Sequence, residues 1–180
     1  MGDPKFNRKL YESPRRPWEK ERIAEENKLL NRYGLKNKRE LWKAQSILRN
    51  FRAQARRLQA LIRYNDPQAK KELDEILKKL VRYGLLDQSN ASIDAILTLT
   101  IDNILDRRLE TVVFKLGLAN TLKQARQFIT HGHIMVGDRV VSIPGYFVKK
   151  DEEGLIKYNP FSPLANELHP MRQKPKEGAE

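Results

Sequence analysis

Cysteine is absent from all 180 residues, which excludes disulfides and thiolate metal sites. Histidine is scarce. His131 and His133 invite a metal reading, but His169 is the only other imidazole, so a convincing third or fourth ligand is lacking. No metal and no cofactor is expected. Long apolar runs are also missing: nothing approaches the ~20 residues that a bilayer-spanning helix needs. The stretch from Met1 to Arg16 has no apolar core of a secretory signal. There is no phosphate-cradling glycine loop, no nucleophile elbow and no zinc-protease helix. The acidic pairs Glu25-Glu26 and Glu152-Glu153 sit in charged stretches without a partner carboxylate at a readable spacing, so acid–base catalysis is not indicated. These absences point away from an enzyme, a membrane protein and a small-molecule binder, and towards a soluble cytoplasmic chain.

Basic charge is what the sequence has in excess. Thirty-five Lys and Arg against 23 Asp and Glu give a net +12 and a pI near 9.9, which calls for a polyanionic partner. The excess is uneven. Residues 1–63 hold 18 basic against 7 acidic side chains, and residues 106–150 hold 8 against 3. Residues 64–105 hold 5 against 7, and residues 151–180 hold 4 against 6. Two basic regions flank a near-neutral spacer, so a polyanion is expected to be gripped at two places.

The patterning gives an α+β fold class, a mainly helical N-terminal domain followed by a small module of two helices packed on a short β-hairpin or small sheet. The expected divisions are a basic arm at 1–17, disordered until bound, a helical domain at 18–105, the module at 106–160 and an extended tail at 161–180. A first helix from about Trp18 to Tyr33 ends at Gly34, where Leu35 folds back on Leu30; the same sign recurs at Gly84 and Gly117. A second runs from about Lys38 to Arg63, with Leu41, Ala44, Leu48, Phe51, Ala55, Leu58 and Ile62 as its buried stripe. One position on, Gln45, Arg49, Arg52, Arg56, Gln59 and Arg63 repeat the step, so arginines border the apolar face over several turns. No acidic residue interrupts this ladder, and the arginine fork suits phosphate oxygens and base edges; Arg49, Arg52 and Arg56 are therefore candidate RNA contacts. A third helix opens at Pro67. Asn90 or Ser92 caps a short fourth, and Thr100 the next.

In the module, a helix over 106–117 turns Leu109, Val112, Val113 and Leu116 inward and Arg108, Thr111 and Lys115 outward. Thr121 and Gln124 form a capping box for the following helix. Its Leu122, Ala125, Phe128 and Ile129 face in, leaving Lys123, Arg126 and Gln127 outside. Ile134-Met135-Val136 and Arg139-Val140-Val141 make a hairpin about Gly137-Asp138, and Pro144-Gly145 turns the chain again before Tyr146-Phe147-Val148. Trp18, Trp42 and Tyr33 are assigned to packing because of their helical positions. Phe6 and Tyr11, in the basic arm, are better placed to touch RNA.

The run Arg107-Arg108-Leu109-Glu110-Thr111, Lys115-Leu116-Gly117, Gln124-Ala125-Arg126-Gln127-Phe128-Ile129, His131-Gly132-His133-Ile134, Val136-Gly137, Val141 and Pro144 resembles the RNA-binding module named after small-subunit ribosomal protein four. Arg32-Tyr33-Gly34-Leu35-Lys36-Asn37-Lys38-Arg39-Glu40-Leu41-Trp42, Leu48-Arg49 and Ala55-Arg56 resemble the N-terminal half of the same ribosomal protein, and Gly84-Leu85-Leu86-Asp87 its middle, in the archaeal and eukaryotic branch. The resemblance spans roughly residues 5 to 160. It implies a structural, ribosome-bound protein that binds the 5′ domain of 16S-type small-subunit ribosomal RNA at a helix junction. It also implies a part in nucleating subunit assembly, beside neighbouring small-subunit proteins near the entrance of the messenger-RNA channel. On that resemblance Arg107, Arg108, Lys115, Lys123, Gln124 and Arg126 contact RNA, and the turn with His131 and His133 is a further RNA-contacting loop. Some bacterial relatives carry a zinc-binding cysteine cluster near the N-terminus; this chain has none, so no zinc site is expected. The alternative is a non-ribosomal RNA factor, in RNA modification or ribosome rescue, built on the same module.

Overall fold

The computed structural model describes residues 9–166 and 169–172. Five helices lead: α1 (Lys20–Arg32), α2 (Lys38–Arg63), α3 (Pro67–Arg82), α4 (Ile93–Thr98) and α5 (Ile101–Asp106). Their boundaries follow from local chemistry. The Asn37 side chain accepts the Glu40 N–H at 3.2 Å to start α2. Asp66 caps α3 ahead of Pro67, whose missing N–H costs nothing at a first helical position. Ser92, rather than Asn90, caps α4. Thr100 stands at the cap of α5, but its hydroxyl bonds the Asn103 side chain instead of the backbone.

At the end of α1 the Leu35 N–H donates to the Leu30 carbonyl at 3.0 Å, and Gly34 supplies the left-handed residue (φ +62°) that this closure requires. The expected first helix thus starts two residues late, at Lys20, and Trp18 lies outside it.

Buried Leu41, Ala44, Leu48 and Ala55 of α2 form the spine of a first core, joined by Leu80, Leu85, Ile96, Ile104 and Leu105. The described part of the N-terminal arm is not loose: Tyr11 lies against the Trp42 ring, centroids 5.9 Å apart, and the Glu12 N–H donates to Ser46 Oγ on α2 at 3.3 Å. Phe6 lies outside the described residues.

The second core belongs to α6 (Leu109–Lys115), α7 (Leu122–Thr130) and a three-stranded antiparallel sheet of β1 (Ile134–Val136), β2 (Arg139–Val140) and β3 (Ile156–Tyr158), in the order β2-β1-β3. Leu109, Val112, Val113, Ala125, Phe128, Ile129 and Ile134 fill it. Leu116, expected inside, is exposed, because α6 ends at Lys115 and the chain turns away at Leu116. The hairpin forms as expected, pairing Met135 with Val140 and Val136 with Arg139.

Strand β3 was not expected. It returns after the short helix α8 (Lys150–Glu153) to pair Ile134 with Tyr158 and Val136 with Ile156. The stretch Tyr146-Phe147-Val148 joins neither neighbour in the sheet. It lies beside the chain entering α6, through the bonds Leu109 N–H to Tyr146 O (2.8 Å) and Val148 N–H to Arg107 O (3.0 Å). The residues after Pro160 are not a free tail as far as they are described: Leu164 is buried in the module's core, and Ser162 caps the turn that carries it.

Candidate nucleic-acid interface

Four charged side chains join the two cores. Glu40, on the first turn of α2, accepts from Arg108 Nη2 at 2.8 Å and from both Nη1 (3.0 Å) and Nη2 of Arg126. Glu110, near the start of α6 and fully buried, accepts from Arg126 Nε (3.3 Å), Arg126 Nη2 (3.2 Å) and Arg108 Nη2 (3.4 Å). Gly34 approaches so closely that a Cβ there would sit 2.9 Å from Leu122 Cβ and 3.5 Å from Glu110 Oε1. The helical domain and the module are thus locked through one desolvated two-arginine, two-glutamate cluster. Burial pushes the Glu110 carboxyl above its ordinary range, and the two guanidiniums only partly offset this. Glu40 feels burial too, but the hydrogen bonds and charge of Arg126 and Arg108 outweigh it and hold its carboxyl below that range.

This geometry corrects the outward facing expected for Arg108, Thr111 and Arg126. Arg108 precedes the first turn of α6 with extended backbone (φ −73°, ψ 142°), so the helix's own periodicity does not govern it. Its side chain turns under the module. Thr111 is buried and donates to the Leu105 carbonyl at 2.9 Å. Arg126 does point away from the module's core, but what lies over it is α2, not water.

Arg107 is engaged as well, with Glu153 at 2.8 Å and the Val148 carbonyl at 3.3 Å. The Gln124 N–H bonds the Thr121 hydroxyl, while its side chain accepts from the Asn120 N–H (2.7 Å) and donates to Met171 O (2.9 Å). The capping box is therefore only half formed.

The ladder of α2 runs where the spacing places it. Arg56, Arg57 and Arg63 are exposed and have no carboxylate within ion-pair distance among the described residues. Arg49 is exposed and pairs with Glu12 from the arm. Arg52 is turned inward, donating to the Leu99 carbonyl at 2.5 Å and tying α2 to the α4–α5 junction. In the module, Lys123 is exposed without an ion-pair partner among the described residues, and Lys115 is exposed with Asp106 at 3.2 Å.

His131 is exposed and stacked on His133, ring centroids 6.1 Å apart. His133 is half-buried with Nδ1 2.7 Å from Ser162 Oγ. Burial, then the neighbouring His131 and His169, disfavour its charged form. Among the described residues no group of three or more His, Cys, Asp or Glu is arranged to hold a metal ion, and no helix is long and apolar enough to cross a membrane.

Sequence reasoning missed Glu26, Glu40 and Glu110, the acids that organise the basic residues around them. Only Glu110 carried a local signal, an acid set between Leu109 and the buried run Thr111-Val112-Val113.

A helical domain with an arginine-edged long helix, locked to a two-helix, three-strand module, defines a nucleic-acid-binding class of protein. Comparison narrows it. Residues 107–153 match the S4 domain, and residues 5–105 match the ribosomal protein S4/S9 N-terminal domain. The chain is 59% identical to small ribosomal subunit protein uS4 of Picrophilus torridus over 174 residues, 97% of this chain and 94% of that one. It is 55% identical to that of Thermoplasma acidophilum over 173 residues, covering 96% and 86% of the two chains. It is 54% identical to that of Saccharolobus solfataricus over 160 residues, covering 88% and 86%. The chain belongs to the small ribosomal subunit protein uS4 family.

Proposed function

We propose that this chain is a structural component of the small ribosomal subunit that binds its 16S-type ribosomal RNA directly and works as a scaffold in the cytoplasm. The observation that carries the mechanism is the buried cluster of Glu40, Glu110, Arg108 and Arg126, which fixes two basic surfaces in one mutual orientation. A rigid pair of surfaces neutralising phosphates on separate RNA helices holds those helices at a set angle, which is the work required at a junction. In this reading the RNA face comprises Arg49, Arg56, Arg57 and Arg63 of α2 with Lys115 and Lys123 of the module, and His131 reaches out from the turn after α7. Arg108 and Arg126 build the platform and do not touch the RNA. In the same reading the chain binds at the 5′ domain early in assembly, beside neighbouring subunit proteins near the messenger-RNA entrance.

Phosphate neutralisation makes such binding salt-dependent. With ~6–10 phosphates engaged, affinity falls on the order of 10³–10⁵ between about 50 and 200 mM salt. Arg56→Ala and Lys123→Ala each lower the salt slope by about one phosphate while leaving the melting temperature unchanged. Quantitative mass spectrometry across a sucrose gradient of native lysate tests the role. One copy per small subunit, retained through a salt wash, is the expected result, and a substoichiometric, salt-stripped pool would point instead to a transient RNA factor.

A further inference from the structure

The turn ahead of α1 is held in an unusual way. Arg22 donates from Nη2 to two successive carbonyls, Arg16 O at 3.0 Å and Pro17 O at 2.9 Å. Its Nη1 lies 2.6 Å from the Glu26 carboxylate. Glu26 is 3% exposed, also accepts from Trp42 Nε1 at 3.0 Å, and forms an ion pair with Lys38 Nζ at 3.1 Å. A buried carboxylate thus fixes an arginine, and the arginine fixes the backbone of Arg16 and Pro17. Pro17 adds its own restriction of φ.

What this clamp displays is Trp18, 91% exposed. Arg15, Arg16 and Lys20 around it are exposed as well. The one acid in the stretch, Glu19, is drawn towards Arg22 Nε at 3.6 Å. An indole left in water forgoes a large burial gain, and a floppy one would lose still more on being ordered by a ligand. Here the backbone that leads into the indole is already held, and three cations lie within three residues of it in the chain. An exposed aromatic face on a held turn, with cations close by in the chain, fits a nucleobase with its flanking phosphates. A protein surface would instead be expected to meet the indole in a larger apolar patch, and among Arg15, Arg16, Pro17, Glu19 and Lys20 only Pro17 is apolar.

We propose that Trp18 is a base-stacking residue: its indole takes an unpaired RNA base, while Arg15, Arg16 and Lys20 hold the phosphates on either side. This rests on the ribosomal-RNA reading above and names a site within it. It places an RNA contact on α1's leading turn, outside both the α2 ladder and the module. The base must be unpaired, because the ring faces of a duplex are covered by its neighbours.

The full-length chain is titrated with in vitro transcribed small-subunit ribosomal RNA, and separately with single-stranded oligoadenylate, following both affinity and tryptophan emission. Trp18→Ala is expected to lower affinity for both probes by about five- to a hundredfold, the range for loss of one stacked base. Trp18→Phe restores most of it, and circular dichroism melting is unchanged in both variants. Both probes quench the parent's emission but not that of Trp18→Ala, whose remaining indole is Trp42. Arg22→Gln, which frees the two carbonyls and keeps the indole, weakens binding in the same direction by less. Equal affinities for parent and Trp18→Ala, or RNA that leaves the parent's emission unaltered, would overturn the site while the ribosomal role stands. Loss of neighbouring subunit proteins from Trp18→Ala particles with RNA affinity intact would also overturn it, in favour of a protein contact. A parent that binds neither probe would remove the functional reading itself.

Discussion

Replacing Arg126 by alanine separates a structural arginine from an RNA-binding one. Arg126 spans two carboxylates: Nε and Nη2 reach Glu110, and Nη1 and Nη2 reach Glu40. With it removed, fully buried Glu110 keeps only the 3.4 Å contact to Arg108, and Glu40 keeps Arg108 at 2.8 Å. Breaking a buried pair from one side costs about 3–5 kcal/mol, because a charge is left desolvated. Two features place this case at the lower end. The Arg126 side chain is 18% exposed, and Glu110, already pushed towards its neutral form by burial, escapes part of the penalty by taking up a proton. A loss of about 3 kcal/mol corresponds to a fall of about 6–12 °C in melting temperature for a chain of this length. Arg126→Lys is expected to fall between, since a single ammonium cannot bridge both carboxylates. The assay is thermal melting by circular dichroism, paired with RNA affinity measured well below the variant's midpoint. RNA affinity should then fall by less than the loss of a direct phosphate contact would cause, through the loosened orientation of the two basic surfaces alone. An unchanged midpoint with strongly weakened binding would refute the reasoning and return Arg126 to the outer face.

Two other perturbations probe the same interface. Gly34→Ala and Gly117→Ala both force a Cβ onto a left-handed residue, costing about 1–2 kcal/mol. Only at Gly34 does the new methyl also meet Leu122, so that variant should lose about 1–3 kcal/mol more by overpacking; equal midpoints would show that the two units are not in firm contact. The pH dependence has a definite sign. Glu26 experiences burial, outweighed by hydrogen bonds from Trp42, Arg22 and Lys38, and like Glu40 it is held below its ordinary 4.5. Both groups contribute stability above that value and lose it as pH falls through their lowered folded values. Glu110, raised, acts the other way: between its ordinary and raised values it binds protons more readily folded than unfolded, and its adverse contribution fades as pH falls through its raised value. Melting followed from pH 7 downward should therefore steepen in Glu110→Gln and flatten in Glu40→Gln, and the reverse order would contradict the assignment.

What could be read beforehand divides along a physical line. Helix α2 was legible because a stripe of seven apolar residues runs along it; the Asn37 cap and the turn at Tyr64 and Asn65 then set its ends in the structure. The hairpin was legible because Gly137-Asp138 sits between alternating segments. These signals act within a few residues. The errors come from contacts between residues far apart in the chain: β3 pairs with a strand some twenty residues earlier, and Arg126 meets Glu40 across 86 residues. Periodicity reports which side of a helix faces away from its own core, and says nothing of what lies over that side. Arg126 was assigned to solvent on those grounds, and α2 covers it.

Trp18 is the same error in the opposite sense. Counted inside α1, it was assigned to packing, yet the helix begins at Lys20, and a displacement of two residues moves an indole from an apolar face to open water. The clamp that fixes it there joins Arg22, Glu26, Lys38 and Trp42, a hub whose members come from two helices. No local pattern could announce that hub. The residues that set RNA contact in this chain are therefore best sought by asking which cations and aromatic rings remain uncovered once the buried carboxylates have taken their share. By that criterion Arg56, Arg57, Arg63, Lys123 and Trp18 are among those that remain, and Arg108 and Arg126 are not.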